Sequence, residues 1–149
     1  MLETFRTIQS GRFSIEQGTR VLIQVPQEAA EQVLQEILAQ EPLNWGDYDQ
    51  VAYTTMPGVQ QFRALPQARN RATEMAVEVY CVELQIFVPK QGRALEPLLR
   101  AIYHAHPYEE PVIQLVPAAR SLHRRGQDEA NPNRFWNQEP ADWVPRDHR

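Results

Sequence analysis

The sequence has 149 residues, of which 42% are hydrophobic and 23% charged, as in an ordinary soluble globular domain. Its formal net charge of −4 argues against a bulk electrostatic grip on nucleic acid or anionic lipid, and its single cysteine excludes an intrachain disulfide. The N-terminus has no apolar segment typical of a signal peptide, and no apolar run approaches the roughly 20 residues that cross a bilayer. We therefore expect a cytoplasmic protein with no membrane or nucleic-acid partner.

The first half of the chain predicts a strand, a helix and two further strands. Residues 19–26 are apolar and β-branched, and a proline ends this strand. Residues 27–40 are predicted to form a helix because their apolar side chains recur at spacings of three and four. Alternation of apolar and polar residues predicts a strand over 47–56, and a shorter one is expected over 60–65. Residues 1–18 form an N-terminal extension that is polar but carries aromatic residues suited to an edge strand.

The second half predicts a long strand, a second helix and a closing strand, over residues 75–89, 93–105 and 112–117. In the long strand the apolar phase changes between Cys81 and Val82, which predicts a bulge or two strand segments. The whole order gives an α+β fold for residues 19–117: a ferredoxin-like sandwich with a mostly antiparallel sheet and two helices on one face.

The last segment, residues 118–149, has no periodicity and several prolines that block helix formation. It nevertheless contains Phe135, Trp136 and Trp143, and disordered tails are usually poor in aromatic residues. We predict an extended tail that its aromatics dock onto the body or onto a neighbouring subunit, with both tryptophans largely buried.

The sequence "HAHPYEEP" is the densest group of chemically active side chains. Prolines follow His106 and Glu110, so both residues are pushed out of the helical region and the second helix must end there. A rigid structural corner is the interpretation that we favour. A divalent-metal site with His104, His106, Glu109 and Glu110 is the second interpretation. General acid/base catalysis by a carboxylate and a histidine is the third.

Other candidates for chemistry are few. The sequence contains no glycine-rich nucleotide motif, no zinc-protease motif and no nucleophile elbow, so no catalytic residue is predicted. Cys81 lies in the apolar strand, where an inert buried thiol is expected. Arg63, close to a glycine turn, suits a carboxylate or phosphate, although an exposed arginine without such a role is more common.

These segments together resemble a known family. "HPYEEP" followed by an apolar strand is similar to the "HPYE-x-P" segment of the CutA divalent-cation-tolerance family. It is more similar still to the "AHPYEEP" of the CutA-like domain of YqfO-type, Nif3-like proteins, which also occurs in a standalone form. The similarity extends from about Arg20 to Val116, through "VLIQVP", "WGDYDQVAYTTMPGVQQFRAL" and "AVEVYCVELQIFVP".

The resemblance implies a CutA/PII-like ferredoxin fold, usually trimeric, with strands packed edge to edge across subunits. It implies a non-enzymatic protein that binds a divalent metal or small metabolite at a subunit cleft, with Gln61, Arg63 and Tyr108 as ligand-binding residues. The dinuclear metal ligands of full-length Nif3-like proteins belong to another domain, so their hydrolase activity is not implied. Gln60 and Ala64 depart from the family's glycine and proline, and a glycine-bearing loop is replaced by "PQARNRAT". The alternative is an adaptor whose aromatic tail docks a protein partner.

Overall fold

The computed structural model describes residues 5–139 and 143–148. The strands and α-helices follow in the order β1 (Phe13–Val25), α1 (Gln27–Gln40), β2 (Tyr53–Thr54), β3 (Gly58–Phe62), β4 (Val77–Val88), α2 (Glu96–Ala105) and β5 (Ile113–His123). Within this described part, no helix combines the length and apolar character needed to cross a bilayer.

The five strands form one antiparallel sheet in the order β2–β4–β1–β5, and β3 pairs with β4 further along that strand. The two long central strands, β1 and β4, are joined through α1 and the short strands, and α2 connects β4 to the edge strand β5. This is the ferredoxin-like arrangement, with its second strand divided into β2 and β3. The predicted fold class is confirmed.

The core lies between one face of the sheet and the two helices. Alternate residues of β1 and β4 point into it, as strand geometry requires. Both helices begin beside a proline, at Pro26 for α1 and Pro97 for α2, where a missing backbone N–H leaves no helical hydrogen bond unmade. The core contains Val21, Ile23, Val25, Ala30, Val33, Ile37, Leu43, Val82, Leu84, Ile86, Val88, Leu95, Leu98, Ile102 and Ala105.

The sheet extends beyond the predicted domain bounds of 19 and 117. Residues 13–18 of β1 pair with residues 118–123 of β5, from Phe13 opposite His123 to Gly18 opposite Ala118. This two-stranded extension, which we call the β1–β5 arm, lies past the last pairing of β1 with β4, between Thr19 and Val88. The N-terminal extension thus contributes the beginning of the central strand β1 and not an edge strand.

Arg120 anchors the base of the β1–β5 arm. Its side chain is only 6% exposed and lies over two aromatic rings, with the guanidinium carbon 4.5 Å from the Phe87 ring centre and 5.0 Å from that of Trp45. Its Nε donates to Glu16 Oε2 at 2.7 Å, and its Nη1 donates to the Asn44 carbonyl at 2.6 Å. The arginine therefore joins the arm, the sheet and the loop after α1.

Gly18 lies next to this cluster and is packed against the end of β4. A Cβ added there would overlap the Val88 carbonyl oxygen and would lie 2.7 Å from Phe87 Cζ and 2.9 Å from Pro89 Cα. Only a residue without a side chain allows β1 and β4 to approach this closely.

A second extension lies at the opposite end of the sheet. Residues 77–81 of β4 pair with β3, from Phe62 opposite Val77 to Gly58 opposite Cys81, and β1 has already ended at Val25. We call β3 with these residues the β3–β4 arm. No residue is skipped within the pairing of β4 with β3 or within its pairing with β1, so the predicted bulge in β4 is absent. The phase change lies where the pairing with β3 ends, at Cys81, and the pairing with β1 begins, at Val82.

The predicted strand over 47–56 is reduced to Tyr53–Thr54. Leu43 and Gln50 have positive φ angles of 53° and 56°, which an extended strand does not contain. Between them Trp45 and Tyr48 close a turn through reciprocal backbone hydrogen bonds of 2.7 and 3.3 Å. The loop that replaces most of this strand follows Trp45, whose ring lies against Arg120.

Polar contacts of Asp128 order the first part of the C-terminal tail and connect it to the β1–β5 arm. Asp128 accepts hydrogen bonds from Asn131 Nδ2 at 2.8 Å and Arg134 Nη2 at 2.6 Å, and it forms an ion pair with Arg12 at the start of the β1–β5 arm. The hydrogen bond from Asn131 is the largest cause lowering the pKa of the Asp128 carboxyl.

The tail tryptophans are exposed in the single chain, 48% for Trp136 and 72% for Trp143. Phe135 contacts both of them edge-on, with ring centres 5.2 and 6.5 Å away. The prediction that both tryptophans are largely buried is therefore wrong within this chain. Docking onto a neighbouring subunit stays a prediction.

Candidate functional site

The candidate site is the corner between α2 and β5. The helix ends at Ala105, and His106 has extended backbone angles of φ −76° and ψ 134°, as expected before Pro107. The His106 N–H still donates to the Ile102 carbonyl at 2.9 Å, which completes the last helical turn. The sequence therefore determines where the helix stops and fixes the entry of the chain into β5.

His106 is buried, and both of its ring nitrogens are occupied. Nε2 lies 2.8 Å from the backbone carbonyl oxygen of Gln24, so it must carry the proton and donate it. Nδ1 accepts the N–H of Tyr108 at 3.1 Å. Burial lowers the pKa of His106 below 6.5, and the bond to Gln24 opposes this shift only in part. The ring is thus a neutral clamp between β1 and the corner.

Tyr108 packs beside this clamp, with its ring centre 4.9 Å from that of His106. Burial is the main cause that raises the pKa of its hydroxyl, and Cys81 and Glu28 add to the effect. Burial, followed by the charge of Glu83, also raises the pKa of the Cys81 thiol. Both groups are therefore held in their protonated forms, which does not suit a nucleophile.

The four predicted metal ligands do not gather around one point. His104, Glu109 and Glu110 are exposed, whereas His106 uses both nitrogens internally. Glu109 instead accepts the backbone N–H of Arg69 at 3.0 Å and ties the 66–76 loop to the corner. Among residues 5–139 and 143–148, no three histidine, cysteine, aspartate or glutamate side chains are placed to share a metal ion. Metal binding by this set stays a prediction that would need groups from outside one chain.

The predicted ligand residues on the β3–β4 side are also dispersed. Gln61 and Arg63 are exposed, and Arg63 Nη1 reaches the Glu74 carbonyl at 3.4 Å. Gln60, on the opposite face of β3 from Gln61, donates instead to Gln24 Oε1 at 2.8 Å. The sequence analysis did not identify Gln24 and Gln60. The register of β3 would have indicated them, because it determines which of the adjacent residues Gln60 and Gln61 lies on the side of Gln24.

The clamp predicts a pH dependence of stability. His106 has a lower pKa in the folded chain than in the unfolded chain. Below about pH 6.5 the unfolded chain therefore binds more protons than the folded chain. The stability that the neutral ring contributes decreases as the pH falls from that value through the lower pKa of the folded chain. We expect this contribution to decline by at most about 1.4 kcal/mol per pH unit. Urea unfolding of the wild type and His106→Asn between pH 5 and 7.5 checks it: the difference between them should narrow as the pH falls.

His104→Gln is the matched control, since His104 is exposed two residues away. It should run parallel to the wild type across the whole range. Parallel curves for the wild type and His106→Asn would contradict the clamp.

Comparisons with known proteins support the fold. No protein-family model matches the sequence, and no curated protein matches it significantly. Among solved structures, a Bacillus cereus protein related to NIF3 matches with a TM-score of 0.60 and 19% identity, over 76% of this chain and 29% of that protein. The chain therefore spans less than a third of that relative, and at this identity the likeness concerns the fold.

Two smaller proteins also match over part of their length. CutA1 from Pyrococcus horikoshii matches with a TM-score of 0.37 and 20% identity, over 67% of this chain and 82% of that one. The PII-like protein CutA from Nostoc sp. PCC 7120 matches with a TM-score of 0.38 and 17% identity, over 67% and 80%. The match to the NIF3-related protein confirms, for the fold, the resemblance identified from the "HPYEEP" segment.

Proposed function

We propose that this chain is a non-enzymatic, CutA/PII-like protein that assembles into a homo-oligomer, a trimer as the resemblance implies, and binds a divalent metal or small metabolite at a cleft between subunits. One observation carries the proposal: the β3–β4 arm and its flanks expose a set of large apolar side chains. These are Met56, Val59, Phe62, Leu65, Met75, Val77 and Tyr80.

The apolar side chains lie on both faces of the arm. Val59 and Tyr80 are cross-strand neighbours on one face, and Phe62 and Val77 are neighbours on the other. Tyr80 is 79% exposed. A two-stranded ribbon without a covering layer is marginal in water, and exposed apolar patches of this kind mark protein–protein contacts. A second copy of the chain supplies the missing cover.

The ligand is proposed to lie between subunits because, among the described residues of one chain, no three histidine, cysteine, aspartate or glutamate side chains are placed to share a metal ion. His104 and Glu110 at the corner, and Gln61 and Arg63 on the β3–β4 side, are exposed polar groups. Association through the arm would bring such groups next to those of another subunit.

Assembly is tested by mass. We expect the wild type to have three times the chain mass in light scattering during size exclusion at micromolar concentration. Tyr80→Glu places a charge on the apolar face of the arm and should raise the dissociation constant by about tenfold or more, because the carboxylate would be buried without a partner.

Tyr103→Glu is the matched control, since Tyr103 is also exposed but lies on α2. It should keep the wild-type mass. A wild-type monomer at these concentrations, or equal dissociation of the two variants, would overturn the proposed assembly.

Ligand binding is tested with divalent metal ions on protein dialysed against a chelator. A metal present at a hundredfold over its dissociation constant should stabilise the protein by roughly 2.7 kcal/mol, seen as a rise in Tm. Tyr80→Glu should lose this rise because the site needs two chains. An equal rise in the dissociated variant would place the metal within one chain and contradict a subunit cleft.

The second candidate function is an adaptor that docks a protein partner through its tail. The exposure of Trp136 and Trp143 favours it, since both present apolar surface without a cover in this chain. The same mass measurement distinguishes the two functions. A wild-type monomer would leave the tail tryptophans uncovered in solution and would favour the adaptor.

A further inference from the structure

A groove at the start of the β1–β5 arm has the size of a small-molecule site. Residues 5–11 lie beside the first residues of β1 and form with them an open groove of about 700 Å³. Ligand sites in proteins commonly have volumes of about 300–1,000 Å³. Local hydrogen bonds order its wall: the Ile8 N–H donates to the Phe5 carbonyl at 3.2 Å, and the Arg12 N–H donates to Ser10 Oγ at 3.0 Å.

Arg124 brings positive charge to the groove. Among the described residues that line the groove there is no aspartate or glutamate. In a chain with a formal net charge of −4, such a lining favours an anion over a metal ion.

Arg124 differs from three neighbouring arginines that form ion pairs. Arg120 is paired with Glu16, Arg125 with Asp47, and Arg12 with Asp128. The side chain of Arg124 has no hydrogen bond or ion pair within residues 5–139 and 143–148, while its backbone N–H is fixed to the Arg12 carbonyl at 2.9 Å. An ordered backbone thus holds an unpaired guanidinium at the rim of the groove, where it can form a forked bond with a carboxylate or phosphate.

The rest of the lining is both apolar and hydrogen-bonding. Phe5, Ile8 and Phe13 supply apolar surface, and Ser14 and Gln17 supply neutral donors and acceptors. A bare inorganic ion would leave the apolar wall uncovered, and a neutral apolar molecule would leave the guanidinium unpaired.

We propose that this groove binds an amphipathic anion, a molecule with a carboxylate or phosphate ester on an apolar or aromatic body, held by Arg124 and the aromatic wall. The site lies within one chain and away from the α2–β5 corner. It therefore does not rest on the proposed subunit cleft.

The test is calorimetric titration of the full chain with phenyl phosphate and with benzoate, against phenol and inorganic phosphate as references. At least one of the two organic anions should bind more tightly than both references. Tighter binding of phenyl phosphate would indicate a phosphate head group, and tighter binding of benzoate would indicate a carboxylate. Arg124→Gln should weaken that binding by about tenfold or more, because a charge-assisted bond is lost. Arg125→Gln, whose arginine is adjacent but outside the groove, should change it by less than about twofold.

Amide NMR resonances of the wild type provide a second measurement that needs no variant. The organic anion that binds more tightly in the titration should shift the resonances of Ser10, Gly11 and Ser14. It should leave the resonances of Tyr108 and Glu109 unchanged. Three results would overturn the proposal: no binding of either organic anion at millimolar concentration, inorganic phosphate binding as tightly as phenyl phosphate, or equal weakening by Arg124→Gln and Arg125→Gln.

Discussion

Gly18→Ala is expected to lower the free energy of unfolding by about 3 kcal/mol, at the upper end of the usual range for one extra methyl group in a packed interior. The new Cβ would overlap the Val88 carbonyl oxygen, which belongs to the sheet backbone and cannot turn aside as a flexible side chain does. β1 and β4 would have to separate where Phe87 supports Arg120. Urea unfolding at neutral pH measures the loss.

Gly58→Ala is the matched control, because Gly58 is also a strand glycine but a Cβ there meets no atom within 4 Å. Its effect should stay within about 0.5 kcal/mol, with a small gain possible from the reduced freedom of the unfolded chain. Equal losses for the two variants would show that strand glycines in general, and not the close approach at Gly18, determine the effect.

Arg120→Ala is expected to cost about 2–3 kcal/mol of stability. The substitution removes a stacked cation from the Trp45 and Phe87 rings and leaves Glu16 and the Asn44 carbonyl without their donor. Removing one partner of a fully buried ion pair costs about 3–5 kcal/mol. The cost is expected to be smaller here because Glu16 is partly exposed, so water can hydrogen-bond to the carboxylate that Arg120 leaves. Arg120→Lys should recover only part of the loss, since an ammonium cannot stack or fork in the same way.

Arg100→Ala provides the comparison, because Arg100 pairs with Glu96 on the exposed face of α2. Its cost should not exceed about 0.5 kcal/mol. If thermal and urea unfolding give the same loss for Arg100→Ala and Arg120→Ala, the stacked arginine is not the anchor of the β1–β5 arm.

Sequence patterns predicted the helices well because their determinants are local. The spacing of Ala30, Val33 and Ile37 defines one buried stripe, and the predicted bounds of α1 are those observed. The end of α2 follows from Pro107 alone. The predicted helix start at residue 93 is in fact a 3₁₀ turn over Gly92–Leu95, a small change that hydrophobic spacing does not detect.

The strand ends could not be predicted in the same way. Residues 13–18 are mixed in polarity, and they form a strand because residues 118–123 lie opposite them. Conversely, residues 47–56 alternate like a strand but contain Gln50 with a positive φ angle. Pairing between distant segments, rather than local preference, decides both cases.

In the candidate site, too, local features could be predicted and long-range contacts could not. The prolines of "HPYEEP" predicted a structural corner, and the His106 ring forms two hydrogen bonds there. The partner of His106 is a backbone carbonyl 82 residues earlier in the chain, and no local pattern marks Gln24 for that role. Likewise, the aromatic content of the tail indicated structure, but Asp128, the residue that fastens it, carries no signal until Arg12 is placed beside it.

The pairing of β1 with β5 also constrains how the chain folds during synthesis. Glu16 and Arg120 are 104 residues apart, yet β1 is a central strand that needs both β4 and β5 beside it. A nascent chain can form α1 from local contacts, but β1 stays without neighbours until β4 has left the ribosome, and the β1–β5 arm cannot form until β5 has left it as well. Closing so long a loop precedes any gain from the contacts it brings together, which makes folding slow. We therefore expect nascent chains that end before β5 to expose β1 and to depend on chaperones until β5 has been synthesised.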